Sequence, residues 1–227
     1  MISCCYFILG ACLASFAGLV GFRLRTCETP WAPRRSYCDH CHCQLRCWQL
    51  IPILGWLLQR GRCIHSQAPI SPFLPVTEAF AGLAATLLCG DQLLFSTIFL
   101  LIITSLVILA SSDYFHQFIL PVFILGLSPL FFLYHPTWSP IDILLASGEV
   151  VIFTILTFKF RSLGSGDWEF LLMVILTLGW YNTALVTFLA CASSFPAFRL
   201  TRIPLMPGLA LGMGATLIWL KETGALP

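Results

Sequence analysis

Between Leu93 and Ala110 the chain carries no charged residue, and its only polar side chains are the hydroxyls of Ser96, Thr97, Thr104 and Ser105. In hydrocarbon such a run is tolerated only as a helix, because no water is present to pair with free N–H and C=O groups. Comparable apolar runs recur near residues 2–22, 73–89, 118–134, 142–158, 168–181, 183–198 and 204–220. Together they predict an all-α fold, a polytopic membrane helix bundle of about eight transmembrane helices. Composition agrees: 58% of the 227 residues are hydrophobic and 10% are charged, and the mean hydropathy is +0.89. One water-soluble globule cannot bury that much apolar surface. The run at 168–181 falls below the roughly 17 residues of a comfortable span, so a re-entrant segment is the alternative there.

The expected organisation is a first transmembrane helix at 1–22, a basic, Cys-rich loop at 23–72, and a membrane domain of about seven helices at 73–227. Arg23, Arg25, Arg34, Arg35, Arg46, Arg60 and Arg62 fall in the first loop, and Lys159, Arg161, Arg199 and Arg202 in later loops on the same face. Only Lys221 lies opposite. The positive-inside rule therefore predicts a cytoplasmic first loop with both termini outside. A cleaved signal peptide is the competing reading of the first helix, but signals carry their positive charge before the apolar core, and here Arg23 and Arg25 follow it. The net charge of +2, with no basic run interleaved with aromatics, argues against a nucleic-acid partner.

The first loop holds Cys27, Cys38, Cys41, Cys43, Cys47 and Cys63, with His40, His42 and His65 nearby. Cytoplasmic thiols stay reduced, so such a cluster points to metal rather than to disulfides. Cys38 and Cys41 form a C-x-x-C pair, the spacing that lets one tight turn present two thiolates to a tetrahedral Zn²⁺. Cys63 supplies a third ligand to this structural zinc. For the fourth, Cys43, Cys47 and His65 are the candidates; the alternative is a loop held by packing alone. Cys4, Cys5, Cys12, Cys89 and Cys191 lie in or beside apolar helices and read as small hydrophobic residues.

Carboxylates beside hydrocarbon are costly, and each has a functional and a plain reading. Asp91, Asp142 and Glu222 fall at outer loop edges, where a solvated turn or a helix cap explains them. Glu78 and Glu149 lie within helices, where pairing inside the bundle is the plain reading and direct catalysis the functional one. Asp113 and Asp167 sit at helix ends on the basic face, which places both at the cytoplasmic surface. An Asp at a helix start is favoured by the macrodipole alone. Asp167, however, follows Gly164-Ser165-Gly166, and two glycines allow a close approach of backbone or substrate.

These residues resemble the bacterial type IV prepilin peptidases, in particular the late-competence processing proteases of Gram-positive bacteria. The resemblance runs through Ala14-Ser15-Phe16, Arg23-Leu24, Leu50-Ile51-Pro52, Arg60 to Cys63, Ile70-Ser71 and Pro75 to Glu78. It continues through Asp113 with His116-Gln117 and Leu120-Pro121, Gly164 to Asp167, Ile203-Pro204 and Pro207 to Gly212. It implies an aspartic endopeptidase with Asp113 and Asp167 as catalytic residues and Gly164 and Gly166 lining the substrate. Its substrates would be prepilin-like precursors with a basic leader and a hydrophobic stem, cut at the cytoplasmic membrane face. It also implies, for many members, S-adenosylmethionine-dependent methylation of the new N-terminus. Three departures stand out: Ser66 where a fourth zinc cysteine is usual, Glu169 where many members have lysine, and a run from Asp113 to Pro121 about one residue long.

Two other readings compete. A non-catalytic membrane assembly factor would use the basic loop to hold pilin-like partners, and replacing either aspartate would then leave processing intact. A transporter would need carboxylates facing each other at mid-membrane across broken helices, whereas Asp113 and Asp167 lie at the membrane edge.

Overall fold

The computed structural model describes residues 2–24, 35–38, 40–134, 136–159, 163–194 and 204–226. Arg25, Cys27, Arg34, Asp39, Arg161, Arg199, Arg202 and Ile203 lie outside them. The described residues are helical apart from turns, and their only β features are two isolated bridges, Tyr37 with Gln44 and Arg62 with Pro69. The chain divides into two compact units, Met1–Ser111 and Ser112–Pro227.

In the first unit, α1 (Ile2–Arg23) packs against α3 (Phe73–Leu88). Small residues bring the two backbones together. A Cβ on Gly10 would stand 2.6 Å from the Ala85 Cβ and 2.8 Å from the Ala81 carbonyl oxygen, and Ala14, Ala17 and Ala85 are fully buried. This is how helices associate where lipid removes the hydrophobic drive between them. The outward faces carry Ile8, Phe16, Val76, Phe80 and Leu83, apolar side chains suited to a lipid surround. The loop between α1 and α3 contains a 3₁₀ turn at Cys47–Leu50 and the short α2 (Leu54–Leu58). α4 (Leu93–His116) begins in this unit.

The second unit holds the end of α4, then α5 (Pro121–Ile124), α6 (Leu130–Leu133), α7 (Pro140–Phe158), α8 (Ser165–Leu178), α9 (Trp180–Ser194) and α10 (Met206–Glu222). The helix expected over 118–134 is broken into short pieces, with a 3₁₀ turn at Leu125–Leu127. Proline explains the break: Pro129 has no N–H to donate, and its ring opposes the carbonyl four residues back. At the start of α7, Ser139 and Asp142 form a capping box, the Asp142 N–H donating to Ser139 Oγ at 3.2 Å and the Ser139 N–H to Asp142 Oδ2 at 2.9 Å. Asp142 is thus a helix cap, as its plain reading expects. Gly179, at φ +82°, ends α8 in a conformation that only glycine adopts readily and so divides the apolar run into α8 and α9.

Among the described residues, three helices are long and apolar enough to cross a membrane: Ile2–Arg23, Leu93–His116 and Pro140–Phe158. α3, α8 and α10 have 16, 14 and 17 residues, at or below the lower limit of about 17 for a span, and α9 shows 15 among the described residues. The all-α membrane class expected from the sequence is therefore found. The count of about eight spans goes beyond what these lengths carry.

Candidate active site and metal centre

α4 continues past the expected end at residue 110 through Ser111 and Ser112, both buried, so Asp113 lies within its last turn rather than after it. Gln117 closes the helix at φ +51°, its N–H donating to the Asp113 carbonyl at 2.8 Å, the bond of a left-handed C-terminal cap. The Asp113 side chain, 7% exposed, reaches the start of α10. Its Oδ2 accepts the Met206 N–H at 3.0 Å, and the Leu205 N–H donates to the same carboxyl. No side chain at the α10 N-cap makes a capping bond; Asp113 does so from another helix.

Asp167 occupies the first turn of α8 and is 8% exposed. The N–H of Gly164, the residue at the helix N-cap, donates to its carboxylate, one half of a capping box. Of the two glycines of the Gly-x-Gly-Asp segment, Gly166 is enforced by a packed neighbour and Gly164 borders the Asp167 carboxylate. A Cβ on Gly164 would stand 2.9 Å from Asp167 Oδ2, and one on Gly166 would stand 2.6 Å from the Ile119 Cβ. Asp167 Oδ1 is buried and has no hydrogen-bond partner among the described residues. The Asp113 charge acts on Asp167, so the two aspartates form one electrostatic site within the second unit. A pair of this kind, with one carboxyl oxygen unpartnered, can bind a water or a carbonyl oxygen and move protons on it.

In the first unit, the Sγ atoms of Cys38, Cys41 and Cys63 lie within 4.8 Å of one another. Cys41 and Cys63 are 3.9 Å apart, near the roughly 3.8 Å edge of a tetrahedron built on zinc–sulfur bonds. Two turns of one design present them. The Cys38 N–H donates to the Cys43 carbonyl at 3.0 Å and the His42 N–H to the Cys38 carbonyl at 2.8 Å; the matching bonds are Cys63 to Ala68 at 2.9 Å and Gln67 to Cys63 at 2.9 Å. His42 and Gln67 hold the same left-handed position, at φ +53° and +57°. By this correspondence Ser66 takes the place of Cys41 in the second turn. Its Oγ lies 3.9 Å from Cys38 Sγ, and its hydroxyl, followed by the N–H groups of Ser66 and His65, draws the Cys63 thiol down to about 6. The donor set fits a zinc ion held by three thiolates, with the fourth corner at Ser66. Cys43, Cys47 and His65 are absent from the cluster that the three thiols form.

The two carboxylates expected within helices, Glu78 and Glu149, differ from one another. Glu78 Oε2 accepts the Ile53 N–H at 2.7 Å, and the Ser15 hydroxyl also bonds to this side chain. Ile53 has φ +62° and ψ −54°, and the Leu54 N–H turns back to the Pro52 carbonyl. This is the rare positive-φ γ-turn, strained for a β-branched residue. Glu78 thus pins a strained loop to α3 inside the first unit. Glu149 Oε2 is buried without a hydrogen-bond partner among the described residues, so the expected pairing is not seen there. Sequence reasoning missed Leu205, Met206, Ile119 and Ile53. A usable signal existed for the first two: Leu205-Met206-Pro207 begins a helix with no capping residue of its own, which calls for a cap from elsewhere.

Comparison with known proteins places these features in a family. The Bacterial Peptidase A24 N-terminal domain matches residues 8–91, and the Type IV leader peptidase family matches residues 100–197, which includes Asp113 and Asp167. The chain belongs to the type IV leader peptidase family. It is similar to a prepilin leader peptidase/N-methyltransferase of Legionella pneumophila, 37% identical over 98 residues, 41% of this chain and 33% of the relative. A protein of the same name from Myxococcus xanthus is 38% identical over 77 residues, 34% of this chain and 23% of the relative. The "type 4 prepilin-like proteins leader peptide-processing enzyme" of Escherichia coli is 44% identical over 50 residues, 22% of this chain and 19% of the relative. The matched stretches thus span a third or less of the lengths of these curated relatives. No solved structure matches the chain.

Proposed function

We propose that this protein is a membrane aspartic endopeptidase that removes the leader peptide of prepilin-like precursors at the cytoplasmic face, with Asp113 and Asp167 as its catalytic pair. The observation that supports the reading is that two buried aspartates of one unit lie near enough for the charge of Asp113 to act on Asp167, whose Oδ1 is unpartnered among the described residues. Two carboxyls sharing a site do not both ionise easily, so one retains a proton and the pair titrates as a unit. The ionised member takes a proton from water while the protonated member polarises the scissile carbonyl. In this reading Gly166 lets Ile119 pack against the start of α8, and Gly164 keeps a side chain off the Asp167 carboxylate, where an extended substrate strand would lie.

A precursor's apolar stem would lie in the bilayer and its basic leader in the cytoplasm, so that the junction meets the aspartates at the membrane edge. The basic first loop is cytoplasmic in this reading, the protein is multi-pass and both termini are outside. A zinc ion on Cys38, Cys41 and Cys63 would hold the two matching turns of the loop together as a structural element. The relatives' names include N-methyltransferase. By the same proposal S-adenosylmethionine-dependent methylation of the new N-terminus extends the activity, to be read from the mass of the mature N-terminal peptide with and without that cofactor.

The deciding experiment is a gel-shift assay with co-expressed pilin-like precursors against Asp113→Asn, Asp167→Asn and the double variant, each checked for normal membrane abundance. Either single change should remove nearly all processing, with little further loss in the double variant, because the residues act as a unit. Substantial cleavage by both single variants would defeat the assignment.

A further inference from the structure

Resting on the catalytic pair just described, we infer that its two members have fixed and different roles. Asp113 is the carboxylate that accepts the proton of the attacking water, Asp167 is the acid that donates to the scissile carbonyl, and the start of α10 at Leu205 and Met206 sets this order.

The two side chains are buried to nearly the same degree, 7% and 8% exposed, so burial does not separate them. Their donors do. Asp113 receives two backbone N–H groups, from Met206 at 3.0 Å and from Leu205, at the positive end of the 17-residue α10. N–H donors and a helix N-terminus both favour full negative charge on the acceptor. Asp167 also stands at a helix start, that of α8, and its first-turn position favours charge in the same way. It receives one backbone donor, from Gly164, and its Oδ1 is buried with none among the described residues. An anionic oxygen without a donor and out of water is costly, whereas a hydroxyl at that oxygen is cheaper and is itself a donor awaiting an acceptor. One proton shared between these sites rests on Asp167.

The chemistry then closes on itself. Asp113 takes a proton from water as the water oxygen bonds to the scissile carbonyl carbon, and the Asp167 hydroxyl gives its proton to the carbonyl oxygen, forming a geminal diol. As the C–N bond breaks, Asp113 passes its proton to the leaving nitrogen, while Asp167 recovers one from the diol as the new carboxyl forms. Both residues return to their starting states.

The experiment uses the full chain purified in detergent, a prepilin-like precursor as substrate, and separate measurement of kcat, KM and thermal melting. Both asparagine variants fall far below wild type. In Asp167→Asn the new amide still offers an N–H to the carbonyl oxygen, while in Asp113→Asn the amide cannot accept a proton. The trace left by Asp167→Asn should therefore exceed that left by Asp113→Asn by about tenfold, in kcat rather than KM. Melting should fall for Asp113→Asn, which loses the charge at α10, and hold or rise for Asp167→Asn. Formate, ionised at neutral pH, should restore cleavage to Asp113→Ala and not to Asp167→Ala, a readout that a purely structural Asp113 would not move. Equal traces, the reverse order, or rescue of Asp167→Ala alone overturns the assignment while leaving the pair catalytic. Full activity in both asparagine variants is a different result and removes the pair itself.

Discussion

The carboxylate of Asp113 caps a helix to which it does not belong, its Oδ2 accepting the Met206 N–H at 3.0 Å. One side chain therefore closes α10 and acts on Asp167, and its structural and chemical roles can be separated by substitution. Asp113→Ala should cost about 1–2 kcal/mol of stability, the usual loss when a capping acceptor is removed. Adding Leu205→Ser, which gives α10 a cap of its own, should recover much of that melting temperature and none of the cleavage. Recovery of cleavage would mean that Asp113 acts only as a cap.

Gly166 faces the Ile119 Cβ, which a new Cβ would meet at 2.6 Å. Gly166→Ala should therefore displace the start of α8 and cut processing at normal membrane abundance, with an overpacking cost of about 1–3 kcal/mol. Ile119→Ala keeps the offending Cβ and should not rescue it. Wild-type processing by Gly166→Ala would show that the contact yields freely.

At the thiol cluster, Ser66 stands where the first turn has Cys41, 3.9 Å from Cys38 Sγ. Ser66→Cys should raise zinc affinity by at least about tenfold, or about 1.4 kcal/mol, measured by competition with a chromogenic chelator. Cys43→Ser and Cys47→Ser should leave affinity unchanged. A loss of zinc in either of these serine variants would place the fourth ligand elsewhere.

Glu78 accepts the Ile53 N–H at 2.7 Å, and Ile53 sits at φ +62°. Glu78→Ala removes the acceptor that anchors this turn and should cost about 1.5–3 kcal/mol, as for a hydrogen bond to a charged group. Glu78→Gln keeps a side-chain oxygen and should cost less. Limited proteolysis near residues 51–54, compared across the three proteins, reads the loosening directly, and equal cleavage in all of them would dismiss Glu78 as the anchor.

Orientation is tested with single cysteines in an otherwise cysteine-free chain. In intact cells an impermeant thiol reagent should miss a cysteine near residue 35 and label one near residue 137. Labelling near residue 35 would reverse the proposed topology.

Much of this protein was legible in its sequence because lipid is an unforgiving solvent. Apolar runs must become helices there, so α1, α3, α7 and α10 begin and end within a few residues of their expected limits. The run at 118–134 was misread because hydropathy does not register backbone: Pro129 breaks a helix whose composition is ideal for a span. The end of α4 was placed early for the opposite reason. Ser111, Ser112 and Asp113 look like a polar exit from the membrane, yet the buried site they enter keeps them helical.

By itself the sequence determined the all-α membrane class and the Cys38–Cys41 pair, since the first follows from composition and the second from spacing along a few residues, and it singled out Asp113 and Asp167 for test. Only the tertiary structure decided what those residues face. The Met206 and Leu205 amides on Asp113, the Ile119 side chain over Gly166 and the approach of Ser66 to Cys38 join segments from 28 to 93 positions apart, and no local pattern encodes such a meeting. It arises because helix ends and turns leave backbone groups unpaired, and a compact unit satisfies them with whichever side chains packing brings within reach.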